Sequence, residues 1–433
     1  MLLVFCQKIT PRIQYTFTHV FTTALGIEID FTSKLETFIA YTGPKMSYGK
    51  APLGNEFFVE AVPLLFELGV QDVAVDIKQW KTYPTFFEVR KKESAFPFDL
   101  FAATFYLISR YEEYLPHVKD QLDRFEAKQS LCVRNGFAEV PIVDFWLAEL
   151  LSLLKDTFPD LLIVESSGES FKPLIEVVSP YKYLHQSVFS NLATFGKALY
   201  QLNFWELFEQ PMVLLGFRKD PWDTFQEYKA LFYKAKFNSY FFFLFSKGSN
   251  MDRGISIRNN SFQSLIKGVA DYFEVGLLAS FPANKKGNQF EKERKDLNVL
   301  IHRKIQKIRY AWGISTVNES YRNLIMQEVQ ADFSLSFPNI MGYRASTAVP
   351  FYYYDLANEM TTTLKIFPVV SNEDSLRQYS PVEGIKKLIS MGDKLPLATG
   401  VHSFALSNKF LENSEVNKGY RSVIIDYLKA HDR

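Results

Sequence analysis

The sequence predicts an α/β protein: a parallel-sheet domain over residues 171–433, barrel-like or open, behind a smaller α+β domain over residues 1–165. Three observations carry this. At 433 residues the chain is too long for one ordinary core. Short, continuous apolar runs such as Leu174–Val178 (LIEVV) and Tyr240–Phe245 (YFFFLF) read as strands buried on both faces. Between those runs lie amphipathic helical patterns, and strands alternating with helices imply a parallel sheet.

The elements follow in chain order. MLLVFCQKITPRIQYTF opens with an apolar run cut short by Lys8, Pro11 and Arg12, which suits a first strand and not a signal peptide. From Asp99, a candidate N-cap, Phe101, Phe105, Ile108 and Leu115 share one helical face. After Pro141 a second stripe runs through Trp146, Leu147, Leu150, Leu151 and Leu154. The polar stretch 122–136 reads as a surface loop, and ESSGES (165–170) as a linker. Helices are then expected around Phe225–Ala235, Phe262–Phe273, Phe290–Ile305 and Tyr321–Val329. Further strands are expected at Val275–Leu278, Leu364–Val370 and Leu397–Phe404. In a parallel sheet of either form, functional groups belong at the C-terminal ends of the strands.

Composition excludes several classes. A net charge of +1 gives no field for nucleic acid or an anionic membrane. Cys6 and Cys132 form neither a disulfide framework nor a CxxC site and suit a reducing, cytoplasmic setting. No apolar run approaches the ~18 residues of a membrane helix. Aromatic residues, 16% of the chain with 41 Phe, point first to thick core packing and second to ring-stacking sites. Neither a membrane nor a nucleic acid is expected as a partner.

The candidate strand tips are EVVSPYKY (176–183), GLLAS (276–280), IRYAW (308–312), GYRAST (342–347) and GVHS (400–403). With PLGNEFF (52–58), FPFDLFAATFYLISRYEEYLPH (96–117) and GFRKDPWDTF (216–225), their order resembles bacterial polysaccharide-deacetylase-like proteins of the NodB-homology type. The subgroup it is similar to carries an uncharacterised N-terminal domain. The resemblance implies a (β/α) barrel-like deacetylase fold for the C-terminal domain and a role in carbohydrate metabolism.

In that family an Asp-x-Asp pair supplies a general base and a metal ligand, and two histidines complete the metal site. The cation polarises an acetamide carbonyl and lowers the pKa of bound water, and a late histidine protonates the leaving amine. Carried over, the base position is Glu176, while the ligand positions hold Val178, Leu278 and Ala311. None of those three offers a lone pair, so no metal or other cofactor is expected. Arg344 matches the arginine that orients the base, though a retained structural ion pair is the commoner role for such a residue. His402 matches the acid, or is a buried structural histidine.

The remaining histidines have bland readings. His302 reads as solvated, and His19, His117, His185 and His431 show no ligand spacing, His185 being the one conceivable substitute ligand. Trp312, Tyr343 and Tyr352–Tyr354 read as packing residues with sugar stacking as the alternative. The charged run 285–307 reads as a wet helix face. The expected function is a catalytically inactive deacetylase-like protein that binds a polysaccharide or glycan intermediate. The alternative is an active carbohydrate hydrolase or deacetylase using Glu176 and His402, with Arg344 as the third candidate site residue, and with an atypical metal such as zinc, or none.

Overall fold

Strand propensity and parity set the frame of the molecule. The computed structural model describes residues 1–164, 171–234, 238–247, 249, 251–252, 254–412, 414 and 417–430. The expected linker at 165–170, Ala235 of one expected helix, and His431 lie outside the described residues. In chain order the strands are β1 (Leu2–Phe5), β2 (Ile29–Thr32), β3 (Lys45–Gly49), β4 (Phe57–Glu60), β5 (Lys78–Trp80), β6 (Tyr83–Thr85) and β7 (Phe171–Val177). They continue with β8 (Tyr240–Phe243), β9 (Glu274–Ala279), β10 (Lys307–Tyr310), β11 (Ala331–Asp332), β12 (Phe351–Asp355), β13 (Met360–Ile366) and β14 (His402–Ser407). Contacts divide the chain into two units. Unit 1 holds residues 1–171, 314–371 and 390–403; unit 2 holds 172–313, 372–389 and 404–433.

Unit 1 opens with a four-stranded sheet in the order β2-β1-β3-β4, every neighbouring pair parallel. The α+β expectation for this region therefore gives way to α/β, because helical segments at 11–24 and 35–40 return the chain for parallel pairing. Asp99 caps the wholly buried helix Leu100–Ile108, accepting from Ala102 N at 2.9 Å. It also takes the Tyr48 hydroxyl at 2.7 Å and Val62 N at 2.8 Å. Burial pushes its carboxyl up to about 6, against the pull of those bonds. The helix ends at Ile108 and a 3₁₀ turn takes up Tyr111–Tyr114, so the longer helix expected to Leu115 is broken. The polar stretch 122–136 is no simple surface loop: it contains short helical turns and buries Phe125, Ser130 and Cys132.

In unit 2 the parallel strands run in the order β10-β9-β8-β7. Their register separates two faces. Ile175, Val177, Phe241, Phe243, Leu277 and Ile308 share one face, and rings on it meet helix rings, as in Tyr228–Phe241 and Phe243–Phe262. The other face carries Glu176, Phe242, Gly276, Leu278 and Arg309. Arg309 Nε donates to Glu176 Oε1, from β10 to β7. In a flat sheet strands three places apart lie ~14 Å away, with side chains standing perpendicular, so no such contact could form. The sheet is therefore bowed, with Glu176 and Arg309 on its concave face.

Gly276 allows this closeness. A Cβ there would lie 2.5 Å from the Phe242 ring and 2.9 Å from the Lys307 carbonyl oxygen. Toward the strand N-termini the concave face is closed by Tyr240, whose ring has Lys172 Nζ and Lys307 Nζ each 4.7 Å from its centroid.

Candidate functional site

Glu176 sits at the penultimate residue of β7 because the alternation of LIEVV sends its side chain to the concave face and Ile175 and Val177 to the helices. The expected ligand positions follow the same parity. Leu278 is in register with Arg309, and Ala311, whose N–H continues the ladder to Ala279 O at 3.0 Å, stands two residues beyond Arg309. Val178 stands two residues beyond Glu176. The deacetylase metal does not fit these residues. Val178, Leu278 and Ala311 have no donor atoms, and one oxygen of Glu176 is engaged by Arg309. Among the described residues no cluster of three or more His, Cys, Asp or Glu side chains forms a metal cage.

The rim at the C-terminal ends of these strands is tied together by buried carboxylates. Asp252 accepts from Trp312 Nε1 at 2.8 Å, from Phe281 N at 2.9 Å and from Ser249 Oγ at 2.8 Å. Glu293 holds Ser280 through its N–H and hydroxyl. Burial raises the Glu293 carboxyl, which its hydrogen bonds only partly offset. The indole of Trp312 is thus fixed in direction by Asp252, not left to pack freely.

Arg344 does not join this group. It lies in unit 1 and is committed to Glu113, with Nε at 2.9 Å and Nη2 at 2.6 Å, while Nη1 donates to Ser336 O. Arg110 Nε donates to the same carboxylate at 2.9 Å, and Arg110 Nη2 donates to Glu112 at 2.6 Å. Burial would raise the Glu113 carboxyl, but Arg344 and Arg110 outweigh it and hold it below the ordinary range. Arg344 is thus a structural ion-pair partner, and the arginine on Glu176 is Arg309. In the strand-tip segment IRYAW (308–312) the sequence singles out Ala311, a ligand position, and not Arg309.

His402 is also in unit 1, buried with its ring 6.2 Å from Phe171 and with Gly392 close against it. Glu176 belongs to unit 2, so the three residues expected to act together are divided between units. His185, with φ 59°, lies edge-on to Tyr181, and His117 Nδ1 lies 2.8 Å from Leu115 O. Tyr343, Tyr353 and Tyr354 are core residues, and Tyr352 is exposed.

His302 and the Lys/Glu run do reach solvent. Lys292, Lys295 and His302 line a cleft of 570 Å³ together with Lys247, Arg258 and Lys267. His19, unremarkable in the sequence, is buried in a π-helical turn over Thr18–Ala24. Neither of its ring nitrogens has a hydrogen-bond partner among the described residues. Burial, with Lys365 adding to it, lowers its pKa to about 4.

Residues 2–159 match a family model described as a family of unknown function, DUF7033. No curated protein matches the chain. Two solved structures are similar at low level. One, assigned as a polysaccharide deacetylase from Mycobacterium smegmatis, shows 11% identity and a TM-score of 0.38 over 62% of this chain and 88% of its own. The other is the PuuE allantoinase, at 12% identity and a TM-score of 0.38 over 60% of this chain and 84% of its own.

Proposed function

We propose that residues 171–433 form a deacetylase-type (β/α) barrel-like scaffold in which metal chemistry has given way to recognition. On this reading it binds a polysaccharide or glycan intermediate without turning it over. The observation that carries this reading is the ion pair between Glu176 and Arg309 on the concave face. A guanidinium offers a fixed positive charge and planar donors, but no open coordination position. It can orient a carboxylate; it cannot generate a metal-bound hydroxide or act as a Lewis acid. The Glu176 carboxylate then serves as an acceptor for sugar hydroxyls, and the Trp312 indole, held by Asp252, offers a ring face for stacking.

The test pairs three measurements on the full chain. Elemental analysis is expected to find no stoichiometric zinc, cobalt or nickel. Acetylated glycans are expected to release no acetate with or without those metals. Calorimetric titration with a panel of oligosaccharides is expected to find a binder whose affinity falls at least tenfold in Arg309→Met. Acetate release that disappears in Glu176→Gln would overturn the reading in favour of an active hydrolase.

A further inference from the structure

The helix-covered side of the unit 2 sheet carries a cleft that the reading of Glu176 leaves unused. It is walled by the helices Asn260–Ala270 and Gly287–Ile301 and has a volume of 570 Å³, within the range of small-molecule sites. The first helix is fixed at its start by Asn259, whose Oδ1 accepts from Phe262 N at 2.9 Å. Its buried stripe includes Phe262, which meets the rings of Phe243 and Phe245 on this side of the sheet. Phe290, Leu297 and Leu300 are buried from the second helix. What remains for the cleft is polar: Gln263 and Lys267 stand one turn apart on one wall, and Lys292, Lys295 and His302 share a stripe on the other.

Cations set its charge. Lys247, Arg258, Lys267, Lys292 and Lys295 line it against one acid, Asp296, a local charge of +4 in a chain whose net charge is +1. Partners stand within reach in the sequence: Lys267 and Asp271, Glu291 and Lys295, and Lys292 and Asp296 are each four residues apart. Elsewhere that spacing closes, as in Arg124–Asp120, Lys219–Asp223 and Arg377–Glu373. Here none of the five cations makes an ion pair with a described residue. The other acids of these segments serve elsewhere. Glu293 holds Ser280, Asp252 holds Trp312, Glu274 pairs with Lys307, and Asp271 lines a separate hollow with Arg303. His302 ends the second helix with a left-handed φ of 53°, where glycine or asparagine is usual, and lines the same cleft. Like charges gathered this way repel one another until an anion enters.

The lining selects among anions. Four of the five cations are lysines, which meet phosphate as point charges. Two phosphate monoesters bring about −3 to −4, which complements the local charge; two carboxylates bring half as much. From Lys292 to His302 the basic stripe covers ten residues, ~15 Å of helix axis, so one phosphate group cannot meet both ends. A nucleobase finds no open Phe, Tyr or Trp ring to stack on, because Phe245 is 3% exposed and packed on Phe262. Oxygens are present as well as cations. Asp296 offers its carboxylate, and Gln263, whose amide N–H goes to Ile257 O at 2.7 Å, offers its amide oxygen. We propose that this cleft binds a sugar or polyol carrying phosphate groups at two positions, with the lysines on the phosphates and Asp296 and Gln263 accepting from the hydroxyls between them. It lies on the opposite side of the sheet from Glu176, and the inference is independent of the reading of that residue.

Calorimetric titration of the full chain with fructose bisphosphate tests it, beside fructose, inorganic pyrophosphate and a single-stranded RNA oligonucleotide. Fructose bisphosphate is expected to bind at least tenfold more tightly than pyrophosphate, and fructose to give no binding. Added salt is expected to weaken the binding, because the lysines are exposed. Lys292→Gln with Lys295→Gln is expected to weaken it at least tenfold with an unchanged thermal melt, and Lys267→Gln on the facing helix at least threefold. No binding of fructose bisphosphate, or binding that neither variant weakens, would overturn the proposal. So would pyrophosphate bound as tightly as the bisphosphate, the mark of a simple anion site, or RNA bound more tightly than either, the mark of a nucleic-acid face.

Discussion

Replacing Glu113 by Gln keeps the shape of the side chain and removes its charge. Arg344 would then be left without a carboxylate among the described residues, whereas Arg110 keeps Glu112. Both side chains of the Arg344–Glu113 pair are almost completely shut off from solvent, at 2 and 3% exposure. Breaking one side of a buried pair strands the other charge and costs ~3–5 kcal/mol, a large share of the 5–15 kcal/mol that holds a typical protein folded. Removing both partners together, as Glu113→Leu with Arg344→Met, should recover most of that loss because no charge is stranded. The assay is urea unfolding followed by circular dichroism for the wild type, Glu113→Leu, Arg344→Met and their double variant, with Glu113→Gln alongside. pH supplies a second reading. A carboxyl held below its ordinary value contributes stability that is present at neutral pH and lost as pH falls through the depressed folded value. The wild type should therefore lose stability in acid that Glu113→Gln has already lost at neutrality. A cost below about 0.5 kcal/mol, the range of surface substitutions, would refute the structural role assigned to Arg344.

Two further outcomes are expected. Gly276→Ala would place a methyl group 2.5 Å from the Phe242 ring in the middle of the bowed sheet, and should destabilise by ~1–3 kcal/mol in the same unfolding assay. Asp144, fully buried and held by the Thr347 hydroxyl and Ala348 N, has its carboxyl raised to about 7 by burial. Its contribution is complete below pH 4 and declines as pH rises through 7, so Asp144→Asn should flatten the pH dependence of the melting temperature in that window.

How much of this was legible follows from what each feature depends on. The Asp99 cap and the parallel strands at LIEVV and YFFFLF rest on local chemistry and a two-residue period, and both are present. The length of the helix after Asp99 did not follow, because Arg110 adopts a left-handed φ of 56° where its guanidinium meets Glu112 and Glu113. The stretch 122–136 looked like a loop from its polarity. Yet Ser130 and Leu131 N are buried, because Glu112 takes both donors at 2.7 Å. The partners of Arg309 and Arg344 lie 133 and 231 residues away. No local pattern reports such pairing, since strand register and sheet curvature decide it. The exposed apolar stripes of the helices Val188–Tyr200 and Phe204–Leu214 were hidden for another reason: an apolar stripe has the same sequence whether a core or an outside medium faces it.

The two arginine–glutamate pairs differ in a way that bears on function. Glu113 and Arg344 are closed on every side, as a pair that fixes a core must be. Glu176 retains 20% exposure while Arg309 retains 5%, so the cation is the buried partner and the anion is turned outward. A pair serving stability alone gains nothing from that asymmetry, because solvent screens the open half. A pair serving recognition does gain, because a buried guanidinium fixes the rotamer of a carboxylate whose remaining lone pairs face whatever enters the concave side. Ligands rich in hydroxyl donors are the natural complement of such an acceptor, and a polysaccharide presents many of them. Binding at Glu176 should therefore depend on Arg309 for orientation, and Lys at position 309, a point charge without the planar fork, should restore charge but not affinity.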